Sequence, residues 1–305
     1  MKAKYYLIKG TATVLSWIPF WFYHAFAWLL SKLFYYTGLY RGKVVYNNLK
    51  MAFPEKSEKE RKQIAKKFYL HMADLLIESL KAFTFNEKDI KKRYQFNHTE
   101  EVQRLCDEKR NIAIVLHHYN NWEWAPMGLN FIAERNNPKM LIMYKTLKDQ
   151  VMDDVIRESR GKIPGTHMFP KDNVIKEVAA HKDDHYALGF AADQSPANPY
   201  NSYWMEFLGL ETGVFYGVEK FSQKNNMAVV YCHVKKKKRS VYEIDMEVIS
   251  EHPRETEHGF ITEKHMRLLE ADIRENPQYW LWSHKRWKRS KPADYDEKRQ
   301  ANKRL

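Results

Sequence analysis

A histidine and a glutamate separated by four residues are the side chains in this sequence best suited to acid–base chemistry. His118 and Glu123 lie in the segment HHYNNWEW, directly after the apolar run NIAIVL. If the chain turns from strand to helix across Asn120 and Asn121, the carboxylate can fold back onto one imidazole nitrogen. That contact would fix the tautomer and leave the other nitrogen free as a general base. A hydroxyl of the substrate would then be the nucleophile.

The position of this pair depends on a predicted sheet. Short apolar runs at 111–116, 139–144 and 186–193 are separated by helical stretches near 147–160 and 172–180. Such alternation predicts an α/β domain with a central, mostly parallel or mixed sheet flanked by helices. Side chains just beyond the carboxyl end of a buried strand lie where such folds build their sites. The His-x4-Glu spacing occurs often by chance. The position of His118 at a strand end strengthens its assignment as a general base.

Three further elements are predicted around this core. Ser57 and Glu60 form a capping box that opens a long amphipathic helix reaching Phe83. The segments MAVVYCHV and VYEIDMEVI flank the tract KKKKR at 235–239 and predict a hairpin with one wet face. A last helix is predicted from about 259 to 275.

The N-terminal region predicts a membrane anchor. Thr13 to Leu30 carries no formal charge, and its length approaches the roughly 20 residues that span a bilayer. Pro19 and His24 leave a shallow interfacial helix or hairpin open as an alternative, and a buried helix is the third reading. We therefore predict an anchoring helix within residues 1–40, a catalytic domain at 41–290, and a charged, disordered tail at 291–305.

The charge balance predicts an anionic partner. The 305 residues include 51 Lys and Arg against 38 Asp and Glu, a net charge of +13. Aromatic residues make up 14% of the chain and crowd beside basic residues near both ends, which favours a lipid surface. No sequence signature of a nucleic-acid-binding fold is present, so we predict membrane association and no nucleic acid.

Neither a metal nor a cofactor is predicted. The two cysteines, Cys106 and Cys232, are far apart and form no CxxC, which favours a reducing, cytoplasm-facing compartment. His117, His118 and Glu123 could be read as metal ligands. Adjacent strand residues point to opposite faces, however, so we predict no metal there and a structural, hydrogen-bonding role for His117.

The segment HHYNNWEW resembles the His-x4-Asp/Glu motif of the glycerolipid acyltransferase superfamily, and more closely the HxGNWE form of the lipid A biosynthesis acyltransferase family. Asn120 stands where a glycine is common, and Lys145 where arginine is usual. Further stretches resemble that family in the same order and cover nearly the entire chain: 45–61, 143–165, 191–196, 207–217 and 274–288.

This resemblance implies a glycerolipid acyltransferase-like fold on the cytoplasmic side of an inner membrane. It implies transfer of an acyl chain from acyl carrier protein to a hydroxyl of a lipid A precursor, a secondary (acyloxyacyl) acylation. His118 would be the base and Glu123 would orient it. Backbone amides or the side chains of Asn120 and Asn121 would stabilise the oxyanion. The implied substrate-binding residues are Asp193, Gln194, Lys145, Arg160 and Lys171.

Two other functions stay open at this point. A related acyltransferase could acylate a lysophospholipid or an amino-acid lipid with the same base, and coenzyme A could replace the carrier protein as donor. More remotely, the chain could be a non-catalytic basic protein that binds membranes or nucleic acids. Substitution of His118 or Glu123 separates acyl transfer from the non-catalytic binding functions, because binding should survive the change and acyl transfer should not.

Overall fold

The computed structural model describes the backbone of residues 2–303 and the side chains of residues 2–299. The α-helices are α1 Lys2–Ser16, α2 Phe20–Thr37, α3 Gly42–Ala52, α4 Glu58–Lys81, α5 Glu87–Arg93, α6 Glu100–Asp107, α7 Ala125–Gly128, α8 Gln150–Arg160, α9 Val174–Ala180, α10 Gly217–Asn225, α11 Phe260–Glu275 and α12 Tyr295–Lys303. The strands are β1 Tyr94–Asn97, β2 Ile112–Leu116, β3 Lys139–Tyr144, β4 Thr166–Pro170, β5 Tyr186–Ala191, β6 Ser202–Phe207, β7 Leu210–Phe215, β8 Ala228–Lys238 and β9 Val241–Ser250.

Seven strands form one sheet in the order β1-β9-β8-β2-β5-β3-β4. Every neighbouring pair in this sheet is parallel except β8 and β9, which form an antiparallel hairpin. The predicted α/β class with a mostly parallel, mixed sheet is therefore confirmed. Strands β6 and β7, for which the sequence analysis predicted no hairpin, form a separate two-stranded sheet.

Strand β2 lies in the middle of the sheet and buries both of its faces. Ile112, Ile114 and Leu116 belong to one hydrophobic cluster, whereas Ala113 and Val115 belong to the cluster on the opposite face. Alternate strand residues point to opposite faces, so a strand covered on both sides needs an unbroken apolar run. This requirement explains the apolar segment NIAIVL. The loop that carries His118 begins where this central strand ends.

Other predicted elements are present with shifted ends. The capping box of Ser57 and Glu60 opens α4, which ends at Lys81 rather than Phe83. The predicted hairpin is β8–β9, in which Ile244 and Met246 are buried while Asp245 between them is partly exposed. The four lysines at 235–238 extend β8, and Arg239 lies in the turn between β8 and β9.

The apolar N-terminal run is not one helix, which corrects the prediction of a single anchor. The chain breaks at Pro19, and α1 and α2 meet at 105°. Proline lacks a backbone N–H and restricts the residue before it, so a continuous helix through this point is costly. Among residues 2–303, no single helix has the length and hydrophobicity to cross a membrane, and only α1 and α2 taken together do.

The two N-terminal helices pack on α4. Tyr23 and Ala27 of α2 contact Ala73 and Ile77 of α4. The ammonium group of Lys81 donates to the carbonyls of Ser16 and Ile18, beside the break between α1 and α2. A cation near the carboxyl end of a helix binds its unpaired carbonyls. The outer faces of α1 and α2 expose large apolar side chains: Leu7, Val14, Trp17, Trp21, Phe22, Phe26, Trp28, Leu29 and Leu33.

The charged C-terminal segment is helical where the sequence predicts disorder. Helix α12 begins at Tyr295, which is buried, and the Tyr295 hydroxyl donates to the carbonyl of Ser202 over 2.6 Å. One anchored aromatic ring thus offsets the ordering cost of a polar segment that composition alone favours as disordered. Met1, Arg304 and Leu305, which fall in the predicted anchor and tail, lie outside the described residues.

The capping box of α4 gives a stability prediction. The Ser57 hydroxyl accepts the N–H of Glu60, and the Ser57 N–H donates to the Glu60 carboxylate over 2.7 Å. We expect Ser57→Ala to lower the free energy of unfolding by about 1 kcal/mol, measured by urea denaturation. Ser79→Ala, in the last turn of the same helix, is the matched control and should leave stability unchanged or slightly higher. Equal losses in both variants would contradict the cap assignment.

Candidate active site

The site lies where two parallel strands end side by side. Leu116 of β2 is in register with Ala191 of β5, and His118 and Asp193 each follow two residues later. Their side chains meet, with His118 Nδ1 2.7 Å from Asp193 Oδ1. The register of the sheet therefore brings together two residues that are 75 positions apart in the chain.

Glu123 does not make the hydrogen bond to His118 that the sequence predicts. Its carboxylate forms an ion pair with Arg160 and accepts the indole N–H of Trp122 over 3.1 Å. The ring of Trp122 packs against the imidazole of His118, with 5.3 Å between ring centroids. The physical reason is competition: the carboxylate at the end of the neighbouring strand is already aligned with Nδ1, so the nearby glutamate pairs with a cation instead.

The contact with Asp193 sets the ionisation of both partners. Burial alone would lower the pKa of His118, but the adjacent Asp193 carboxylate outweighs it and the pKa is raised. Burial alone would raise the pKa of Asp193, but His118 and His117 hold it well below its usual range. An ionised Asp193 accepts the Nδ1–H of His118, which leaves Nε2 as the basic nitrogen.

Gln194 caps that basic nitrogen. Its amide nitrogen lies 3.1 Å from His118 Nε2, so the amide donates to the lone pair that a base would use. A substrate hydroxyl would occupy the same place, because it too donates to Nε2. The sequence predicts an acceptor-binding role for Gln194, and this position next to the base is compatible with it.

Asp193 lies in a buried position behind His118. It is 2% exposed, and its second oxygen accepts the indole N–H of Trp280 over 2.8 Å. With both oxygens engaged, the carboxylate is placed to orient His118 rather than to touch an acceptor. This geometry differs from the substrate-binding role that the resemblance implies for Asp193.

The loop after β2 needs an unusual backbone at Asn120, where φ is 54°. Asparagine tolerates this left-handed conformation better than most residues, so it suits this position. The side-chain amide of Asn120 donates to the Val234 carbonyl, and that of Asn121 donates to Glu78 over 2.6 Å. Both side chains are buried and each donates to another group of the protein, and their part as oxyanion donors stays a prediction.

Glu78 of α4 accepts a hydrogen bond from this loop. Besides Asn121, its carboxylate accepts the hydroxyls of Tyr242 over 2.8 Å and Ser240 over 2.9 Å. Burial raises the pKa of Glu78 to about 7, despite the neighbouring Lys236 cation and the hydrogen bonds that lower it. A carboxyl group on α4 thus links that helix to the catalytic loop and to β9.

A C-terminal segment, residues 274–288, also binds the loop that follows β2. The N–H of Leu281 donates to the His118 carbonyl, and the N–H of Asn120 donates to the Tyr279 carbonyl, each over 3.0 Å. His284 accepts the backbone N–H of Ser195 over 3.0 Å, and burial lowers the pKa of His284 to about 4, so the ring is a neutral acceptor. The sequence analysis gave no role to Trp280 or His284. Their place in the motif at 274–288 was the available signal.

The three predicted basic residues lie at different distances from the base. Arg160 is close enough to lower the pKa of His118 and is held by Glu123. Lys145 and Lys171 follow β3 and β4 at the same edge of the sheet, and both are exposed. Strands lie about 4.8 Å apart, so these positions are about 10 and 14 Å from β2. Arg160 alone therefore joins the base at short range.

His117 differs from its predicted hydrogen-bonding role. Its Nδ1 lies 3.9 Å from Asp193 Oδ1, its ring packs against His265 with 5.3 Å between ring centroids, and it finds no hydrogen-bond partner among the described residues. Burial lowers its pKa to about 4, so the ring is neutral. Within the described part of the chain, no group of three His, Cys, Asp or Glu side chains is arranged to hold a metal ion.

Fold and site together define an α/β domain with a histidine–carboxylate pair at the carboxyl edge of its sheet. The sequence profile of the family described as bacterial lipid A biosynthesis acyltransferase matches residues 2–289. The chain belongs to this family, which places it in a class of acyltransferase enzymes. The resemblance drawn from its motifs is thereby confirmed.

Named relatives are similar at low identity. The chain is 20% identical over 255 residues to the lipid A biosynthesis palmitoleoyltransferase of Escherichia coli K12, covering 81% of this chain and 79% of that protein. A lipid A biosynthesis acyltransferase of Shigella flexneri gives the same values. A Haemophilus influenzae protein of that name is 22% identical over 185 residues, which span 60% of this chain and 56% of the relative.

The His118–Asp193 contact predicts a specific pH dependence. A histidine base works only when deprotonated, so activity should rise with pH through a midpoint above 6.5, the usual value for histidine. In Asp193→Asn the raising influence is lost and burial remains, so the midpoint should move to lower pH. The plateau rate should also fall on the order of 10²- to 10⁴-fold, because the base loses its orienting partner.

The measurement is kcat/KM against pH in a purified acyl-transfer assay. Asp245→Asn is the matched control. Asp245 lies on β9, away from β2 and β5, and its carboxylate is 3.2 Å from a different histidine, His98. Its profile should equal that of the wild type. An unchanged midpoint in Asp193→Asn would overturn the assignment of Asp193 as the partner of the base.

Proposed function

We propose that this protein transfers a fatty acyl chain from an acyl thioester to a hydroxyl group of a lipid A precursor, in a secondary acylation. The observation that carries the proposal is the His118–Asp193 pair, at the carboxyl edge of the sheet in a chain of this acyltransferase family. The pair presents one basic nitrogen and needs no cofactor for acyl transfer.

The proposed reaction has two steps. His118 Nε2 takes the proton of the acceptor hydroxyl as its oxygen attacks the thioester carbonyl, which forms a tetrahedral oxyanion. The oxyanion then collapses, the carbon–sulfur bond breaks, and the departing thiolate takes the proton from the imidazolium. Asp193 stabilises the imidazolium between these steps through its bond to Nδ1. No covalent acyl-enzyme forms.

Glu123 has a different part in this proposal from the one read in the sequence. It holds Arg160, a cation near His118, where negative charge develops in the tetrahedral intermediate. Glu123 also acts on the base at longer range, because its charge helps to raise the pKa of His118. The proposed catalytic residues are still His118 and Glu123. Asp193 is added as the residue that positions His118.

The proposed donor and acceptor are both anionic. The net charge of +13, with Lys145 and Lys171 exposed beyond β3 and β4, favours a phosphorylated lipid acceptor and an acidic acyl carrier protein. The printed name of the Escherichia coli relative, lipid A biosynthesis palmitoleoyltransferase, supports the same acceptor.

The proposed location is the cytoplasmic face of the inner membrane. Support comes from the outer faces of α1 and α2, where Trp17 is 69% and Trp21 73% exposed. Exposed tryptophans among apolar side chains favour a lipid interface. The nearby α4 carries Glu78 below the catalytic loop, so a bilayer bound at α1 and α2 would lie close to the site.

The function is tested by the masses of lipid A and phospholipids from cells with and without the gene. We expect lipid A to lose one acyl chain, and wild type to restore it. His118→Ala should not restore it, because no base remains, whereas His98→Ala at an exposed position should. Loss of an acyl chain from a phospholipid or amino-acid lipid instead would overturn the acceptor and keep the chemistry. Restoration by His118→Ala would overturn the base.

The ion pair of Glu123 and Arg160 is tested by a double-mutant cycle. If Glu123 acts by holding Arg160, each single alanine variant should lower kcat on the order of 10²-fold. The double variant should then be no worse than the single Arg160→Ala variant. Losses that multiply in the double variant would show that the two residues act independently.

A further inference from the structure

Arg286 is a buried cation that forms no salt bridge with any acidic side chain that the structure describes. Its side chain is 2% exposed, and one nitrogen, Nη1, donates to the Gly213 carbonyl over 2.9 Å. The other two nitrogens, Nε and Nη2, find no hydrogen-bond partner in the part of the chain that the structure describes. Buried polar groups are normally paired, so these two donors call for an explanation.

Arg286 lines a narrow pocket between the β6–β7 sheet and the C-terminal segment, with about 10 Å³ in which the centre of a water-sized group can lie. A second guanidinium, that of Arg289, and the hydroxyl-bearing residues Ser195, Ser202 and Thr212 line the same pocket. None of the lining residues that the structure describes is Asp or Glu. The hydroxyls of Ser202 and Thr212 already donate to backbone carbonyls, so the pocket offers the Nε and Nη2 donors of Arg286 together with positive charge.

The buried charge of Arg286 makes this arrangement unfavourable, because it forms no salt bridge with the residues that the structure describes. Burial lowers the pKa of Arg286 to about 10, against the attraction of Asp193, so the guanidinium still carries its proton at pH 7. A buried charge without a counter-charge costs free energy that packing alone does not return. An anion entering the pocket would supply both the counter-charge and the missing acceptors.

The pocket is next to the proposed catalytic centre. Ser195 follows Gln194, whose amide contacts His118, and the Ser195 N–H is held by His284 from the same C-terminal segment as Arg286. A group bound by Arg286 would therefore lie on a molecule that also reaches the base. A guanidinium group binds a phosphate well, since two N–H groups of its planar fork donate to two phosphate oxygens at once.

We propose that Arg286 forms a phosphate-binding subsite that holds a phosphate ester of one of the two substrates. The link to catalysis rests on the proposed function, whereas the binding of phosphate does not. The phosphate belongs either to the headgroup of the acceptor lipid or to the phosphodiester of the thioester donor. Only a single phosphate group enters the pocket, because the pocket is too narrow for a whole substrate.

Inorganic phosphate tests binding without any turnover. The thermal unfolding midpoint of the full-length protein in detergent is measured in sodium phosphate and in sodium chloride of equal ionic strength. We expect a higher midpoint in phosphate, because a ligand of the native state stabilises it. Equal midpoints for the wild type in the two salts would overturn the proposal, whatever the variants do.

Arg286→Met removes the charge and keeps a long side chain in place. We expect this variant to fold, with a midpoint in chloride no lower than that of the wild type, since it replaces an unpaired buried charge. It should lose the phosphate-dependent increase. Arg254→Met is the matched control: Arg254 also donates to backbone carbonyls, at Gln223 and Lys224, but lies outside the pocket, so this variant should keep the increase.

Arg286→Lys guards against a variant that fails to fold. It keeps the charge but loses the planar guanidinium fork. The phosphate-dependent increase in its unfolding midpoint should be smaller than that of the wild type. A full increase in Arg286→Met or in Arg286→Lys would overturn the subsite. His118→Ala should retain the increase, which separates failure of the proposed function from failure of this inference.

Steady-state kinetics identify the source of the phosphate. We expect Arg286→Met to raise KM for one substrate roughly tenfold to a hundredfold, as for loss of a charge-assisted hydrogen bond. A rise confined to the acceptor assigns the phosphate to the lipid headgroup, and a rise confined to the thioester assigns it to the donor. Unchanged KM values for both substrates would overturn the role of the subsite in substrate binding.

Discussion

The hydrogen bond between His118 and Asp193 depends on the register of β2 and β5, and much of the structure around the site maintains it. The two strands are parallel and adjacent, so residues at equal distances beyond their ends face each other. Trp280 holds the second oxygen of Asp193, and Leu281 holds the backbone of His118. A slip of one residue in the register would turn one partner to the opposite face of the sheet and break the pair.

Helix α4 connects the N-terminal helices to the catalytic loop. Lys81 binds the carbonyls at the break between α1 and α2, while Glu78, one turn earlier, binds Asn121. Asp74, a further turn back, pairs with Lys236 over 3.0 Å and with Arg239 of the β8–β9 hairpin. Residues three or four apart share one helix face. One face of α4 therefore joins the apolar surface of the chain, the hairpin and the site.

Buried charge is matched almost wherever it supports the fold. Asp74 has two cations, Asp193 has His118 and an indole donor, and Glu78 has three hydrogen-bond donors. Arg286 stands apart, because among the described residues it has one backbone acceptor and no carboxylate in a salt bridge. Structural pairs lower the cost of burying charge, whereas an unmatched charge beside a site raises it. This contrast distinguishes a group that holds the protein together from one that is placed for a ligand.

The sequence by itself determined the α/β class, the capped helix α4, the β8–β9 hairpin and the strand end that carries His118, because these follow from local periodicity and capping. Motifs in order along the chain also identified the family. Only the tertiary structure decided that Asp193 rather than Glu123 contacts His118, since that choice depends on which strands are neighbours. The same holds for the engaged amides of Asn120 and Asn121 and for the unpaired donors of Arg286. Local pattern reports the face on which a residue lies, whereas the partner it meets there comes from a distant part of the chain.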